Sequence, residues 1–197
     1  MKKYNSFILL FGVFCIALFT TFCTNGPKSA ENNDAKSMSN EDMVKHGEYL
    51  VTIMGCNDCH SPKRMGPNGP EIIPGLMLSG AQSNMPMLKY DTAWTNKGFA
   101  IFFPDLTATA GPWGVSFAGN LTPDPTGIGT WTEEQFKKAI TEGKFKGLDG
   151  GRMLLPPMPW EGFAHLTNED VHAIFTYLKS LNPVQNVVPA AIPPDEM

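Results

Sequence analysis

The chain has 197 residues, enough for one domain with its own apolar core, and 42% of them are hydrophobic. Its 15 basic and 19 acidic residues give a formal charge of −4, which argues against a nucleic-acid role, because holding a phosphate backbone takes clustered Lys and Arg. Glycine (19) and proline (17) are abundant and charged residues make up only 17%, so long loops around a modest helical framework are predicted.

Residues 1–22 carry Lys2 and Lys3 and no acid, then an apolar run from Phe7 to Phe22. A basic start and a hydrophobic stretch shorter than the roughly 20 residues of a membrane-spanning helix read as an export signal, with a retained anchor as the alternative. Cys23 ends that run, and a polar stretch follows it. This arrangement is similar to a bacterial lipoprotein, in which such a cysteine becomes the acylated N-terminus. Removal of the signal leaves 13 basic residues against 19 acidic, a formal charge of −6. Cys15 and Cys23 belong to the leader, so only Cys56 and Cys59 remain, too close together to form a structural disulfide framework. Residues 23–39 have few apolar side chains and read as a flexible tether.

The first helix is predicted to start at Ser39 or Asn40, with Glu41 and Asp42 complementing the helix dipole, and to end near Gly55. Its apolar stripe is Met43, Tyr49, Leu50, Ile53 and Met54. A capping-box pattern from Thr132 to Gln135 opens a second helix that closes near Gly143. A third begins at Thr167, has Asp170 at its third position, and stops before Pro183. From Ser61 to Thr130 neither period is sustained, and the Pro and Gly residues between Pro62 and Gly75 read as loop. A stretch of that length inside a compact domain is usually functional or wrapped on something. Residues 185–197 read as an extended tail.

The decisive motif is Cys56-Asn57-Asp58-Cys59-His60, a haem-attachment pentapeptide. Each thiol can add to a vinyl group at the porphyrin edge, two intervening residues put both sulfurs on one turn, and His60 follows where it can reach the iron. A zinc site would need about four N or S ligands, and His46, His165 and His172 are scattered without ligand spacing. A dithiol redox pair would follow a strand rather than a helix. The second axial donor is sought in Gly151-Arg152-Met153-Leu154-Leu155-Pro156-Pro157-Met158-Pro159-Trp160. Met158 is bracketed by prolines that stiffen its backbone, which favours it over Met153 and over His165. Asn120 and Thr122 are candidate cofactor supports, Arg152 a candidate partner for a propionate, and the aromatic residues Trp94, Phe99, Phe102, Phe103, Trp113 and Phe117 candidate porphyrin packing.

These residues resemble the class I c-type cytochromes, in particular the cytochrome subunits that serve periplasmic dehydrogenases. The likeness rests on Gly47-Glu48-Tyr49-Leu50-Val51 leading into the pentapeptide, Asn120-Leu121-Thr122-Pro123-Asp124, Gly127-Ile128-Gly129-Thr130-Trp131-Thr132, Pro156-Pro157-Met158-Pro159-Trp160 and Leu166-Thr167-Asn168-Glu169-Asp170, and spans about residues 43–184. It implies an all-α cytochrome c fold of three or more helices with long haem-wrapping loops, over a domain of residues 40–184. It implies one covalently attached haem c, with His60 and Met158 as the iron ligands. The loop from about Met77 to Ala118, rich in Met, Phe and Trp, departs from the family. The expected role is electron transfer without catalysis, one electron at a time, between a periplasmic dehydrogenase, cytochrome complex or terminal oxidase and an acceptor. The alternatives are a relay subunit fixed in a larger oxidoreductase, or a ligand-binding or peroxidatic haem protein. The expected location is periplasmic, with a lipid anchor at Cys23.

Overall fold

A computed structural model describes residues 38–87 and 89–197. The export signal, Cys23 and nearly all of the tether lie outside the described residues. Helix α1, Asn40–Ile53, is capped by the Ser39 side chain, which accepts from the Asp42 amide. Helix α4, Glu133–Glu142, opens with the Thr132/Gln135 capping box and closes on Gly143 at φ 68°. Helix α6, Asn168–Ser180, opens with a second capping box between Thr167 and Asp170. Each box satisfies amides that would otherwise be orphaned at the helix start. Three single-turn helices, α2 (Cys56–His60), α3 (Thr92–Thr95) and α5 (Trp160–Phe163), lie between them.

The core forms where α1 crosses α6 and α4 packs alongside, burying Leu50 and Val51 with Val171, Ile174, Leu178, Phe136 and Ile140. Burying each such side chain is worth about 1.5–3 kcal/mol. The crossing is close because Gly47 sits at it: a β-carbon there would run into the Ala173 carbonyl and the Tyr177 side chain. His46 reaches across the same crossing to Asp170, 2.9 Å away. Among the described residues no helix is long and apolar enough to cross a membrane.

The all-α expectation is overturned. Of the described residues 35% are helix and 13% strand, with two antiparallel sheets among them. In the first, β1 (Lys63–Gly66) pairs with β2 (Gly69–Ile72); in the second, β3 (Ile101–Phe102), β4 (Ala108–Gly111) and β5 (Gly114–Phe117) lie in that order. Both hairpins reverse through the same four-residue pattern, Gly-Pro-Xaa-Gly, at Gly66-Pro67-Asn68-Gly69 and Gly111-Pro112-Trp113-Gly114. Proline presets the backbone of the second turn position, and the closing glycines take φ 123° and 96°, which other residues rarely adopt. The strands carry no alternation because they are too short and their faces are alike: β4 is buried on both, and β2 is exposed beyond Gly69. The C-terminal segment covers the other edge of β5, where Val115 and Ile192 exchange backbone bonds of 2.8 and 3.0 Å.

A knot of buried amides fastens that segment to the middle of the chain. The Asn120 side chain donates to the Val184 carbonyl and accepts from the Thr122 amide. The Asn186 side chain donates to the carbonyls of Ser79 and Ala81 and accepts from the Ser83 amide.

Candidate haem-binding site

Helix α1 ends at Ile53, and Gly55, in the left-handed region at φ 70°, turns the chain directly into α2. That single turn carries the whole pentapeptide. Cys56 and Cys59 are free thiols spaced three apart, so they share one face, and both are half-buried. Burial pushes the Cys56 thiol up to about 11 and also raises that of Cys59, so both sulfurs are protonated at neutral pH.

His60 ends α2, and its Nδ1 lies 2.7 Å from the carbonyl oxygen of Gly119. A carbonyl only accepts, so Nδ1 carries the proton and the lone pair is left on Nε2. Burial lowers the imidazole's proton affinity, against the opposing pull of the Gly119 bond. The result is a neutral ring whose free nitrogen is a metal donor. Two neighbouring contacts fix the carbonyl that sets this tautomer: the Gly80 amide donates to the His60 carbonyl at 2.8 Å, and the Ala81 amide donates to that of Ala118 at 2.9 Å. Gly80, at φ 76°, permits the approach, because a β-carbon there would lie 2.6 Å from Gly119 backbone atoms.

Met158 lies on a separate loop, between the bridge joining Lys144 to Met153 and the start of α5. The Leu154 amide fastens this loop to the Gly143 carbonyl at 2.7 Å, and the Ser116 hydroxyl fastens it to the Pro156 carbonyl at 2.6 Å. Met158 is half-buried, whereas Met153 is 40% exposed and His165 is exposed. One ribbon therefore supports both candidate ligands. Ser116 in β5 holds the Met158 loop, and Gly119, three residues on, holds the imidazole of His60.

No family model matches the chain. It is 39% identical over 149 residues to a nicotinate dehydrogenase subunit of Pseudomonas putida, a match that covers 75% of this chain and 9% of that protein. It is 31% identical to the gluconate 2-dehydrogenase cytochrome c subunit of Pantoea cypripedii over 73% of this chain and 24% of that one. It is 30% identical to the fructose dehydrogenase cytochrome subunit of Gluconobacter japonicus over 68% of this chain and 20% of that one. The matches thus span a quarter or less of these relatives' length. The chain is a homologue of dehydrogenase cytochrome c subunits.

The remaining side chains fit a haem-attachment site better than its rivals. Among the described residues no three His, Cys, Asp or Glu side chains gather as a metal-binding group, and His46 and His172 are engaged with Asp170 and Glu133. Both thiols are free, as thioether formation requires. Asn120 and Thr122 bond the C-terminal segment and each other. Arg152 stacks on the Phe145 ring at 3.7 Å and donates to the Met153 carbonyl. In the 77–118 loop Phe103 is buried, while Trp94 and Phe99 meet edge to face and are about half exposed. Sequence reasoning misses Gly119, Gly80 and Ser116; the recurring Gly-Pro-Xaa-Gly turn is the signal that leads to them.

Proposed function

We propose that this protein is a periplasmic electron carrier that holds one covalent haem c and serves as the cytochrome component of a dehydrogenase complex. The observation that carries the reading is the α2 turn, where two free thiols share a face and the next residue is a histidine whose tautomer is set by Gly119. Bound there, haem c supplies an iron that changes by one electron between ferrous and ferric states. Cys56 and Cys59 anchor the porphyrin edge through thioether bonds. His60 would hold the iron through Nε2, and Met158 would supply a second ligand from its fastened loop. With both ligands in place the protein would pass electrons rather than bind oxygen or peroxide, and a thioether donor would hold the potential up relative to a second histidine. The relatives named as dehydrogenase cytochrome subunits support a catalytic dehydrogenase subunit as the donor.

The test of ligation is the optical and magnetic resonance spectrum of the loaded protein beside the Met158→Ala variant. The wild type is expected to be low-spin in both oxidation states, and Met158→Ala to become high-spin and to bind carbon monoxide rapidly. An unchanged low-spin spectrum in the variant removes Met158 from the iron. The leader extends the reading: residues 1–22 direct export, and Cys23 carries the lipid that keeps the domain at the membrane. Cys23→Ser is then expected to move the protein into the soluble periplasmic fraction, and continued membrane association contradicts the anchor.

A further inference from the structure

The side chain of Lys63 does something that the haem-attachment turn does not itself require. Its Nζ lies within hydrogen-bond distance of four backbone carbonyls, Asp58 at 2.6 Å, Ser61 at 2.9 Å, Asn57 at 3.2 Å and Asp105 at 3.3 Å, which share its three N–H groups. Three of the four belong to the pentapeptide turn or the residue just after it, and the fourth belongs to the loop that departs from the family. The residue is half-buried at the first position of β1.

Among the described residues no carboxylate lies within 4.0 Å of Lys63 to form an ion pair. Asp58 and Asp105 meet it only through their main-chain oxygens, and the Asp105 carboxylate is taken by the Thr107 amide and hydroxyl, at 3.1 and 2.9 Å. Neutral dipoles solvate an ammonium without cancelling its field at a distance, and partial burial weakens screening by solvent. The turn therefore faces two charges that do not pair with each other: the Lys63 ammonium, which acts on Cys59 and His60, and the Asp58 carboxylate, which acts on Cys56 and Cys59.

We infer that Lys63 is a potential-setting residue: its unpaired ammonium, held by the carbonyls of the attachment turn, destabilises the more positive ferric state and raises the reduction potential of the bound haem. The inference rests on the haem c reading above. It assigns Lys63 a role exerted through charge, distinct from simply capping the end of α2, although the capping bonds are what place the charge.

Redox titration of the purified, haem-loaded protein separates these roles when wild type is compared with Lys63→Arg, Lys63→Gln and Lys63→Met. Gln keeps two N–H donors for the carbonyls and so preserves the turn where Met leaves them bare. The expected result is a midpoint potential shifted downward in Gln and Met alike and held near wild type in Arg, with the low-spin spectrum unchanged throughout. Equal potentials in wild type and Lys63→Gln overturn the inference, as does Arg shifting as far as Gln, which marks a purely structural cap. A wild-type protein that attaches no haem overturns the haem c reading instead, and is told apart by its missing visible absorption.

Discussion

At the scale of single residues, the arrangement around His60 is a chain of dependencies that ends on a glycine. Gly119 accepts the Nδ1 proton, and that bond makes the imidazole a stronger donor to a metal at Nε2. Gly119 is in turn positioned by a neighbouring segment that can come so close only because residue 80 has no side chain and sits at φ 76°. Gly80→Ala is strained for both reasons and is expected to cost about 1–3 kcal/mol. By lengthening the His60 to Gly119 bond it also weakens imidazole donation, so the potential of the loaded protein is expected to rise, opposite in sign to neutralising Lys63. Redox titration and thermal unfolding of the variant check both effects, and a wild-type potential would disconnect Gly80 from the ligand.

At the scale of elements, α6 is the best-secured helix because one side chain does three things. Asp170 accepts from the Thr167 amide and hydroxyl to complete the capping box, and from His46 of α1 across the crossing. These hydrogen bonds, Thr167 first and His46 second, hold the Asp170 carboxyl below its ordinary value of 3.8. A depressed folded value means that the unfolded chain takes up the proton first, so the stabilisation is fully present above about pH 4 and is lost as pH falls through the folded value. Asp170→Asn is expected to cost about 1 kcal/mol at neutral pH and progressively less in acid. Urea unfolding of both proteins between pH 7 and pH 3 tests this, and a difference that does not shrink in acid contradicts it.

The same local logic explains what is legible in the sequence. Thr132 with Gln135 and Thr167 with Asp170 announce α4 and α6 because a capping box is written in side chains three residues apart. The ribbons are not legible. Ala108-Thr109-Ala110-Gly111 is buried on both faces, so it shows no polar and apolar alternation, and four residues are too few to display a period. Their shared Gly-Pro-Xaa-Gly turns are visible but read as loop. In the site, Cys56, Cys59 and His60 stand in an unmistakable motif, whereas Gly119 and the acceptors of Lys63 contribute backbone oxygens, which no residue type encodes. The resemblance to an all-α family reinforces the error about the sheets.

At the scale of the whole molecule, the chain is arranged as a helical clamp and a stranded support around one short turn. The α1 and α6 crossing fixes the entrance to α2 through Gly55. The β4–β5 ribbon, closed along its other edge by the C-terminal segment, fixes the far side: Ser116 holds the Met158 loop and Gly119 holds His60. Asn120 and Asn186 fasten the C-terminal segment to the middle of the chain, and among the described residues no buried side-chain polar atom lacks a partner.

The most direct test of this account is the mass of the denatured protein, made in cells that attach haem and then extracted with acid acetone. The account predicts the mass of the polypeptide plus one haem, lost when Cys56 and Cys59 are both replaced by Ser. A protein with the bare polypeptide mass and no visible absorption would contradict it.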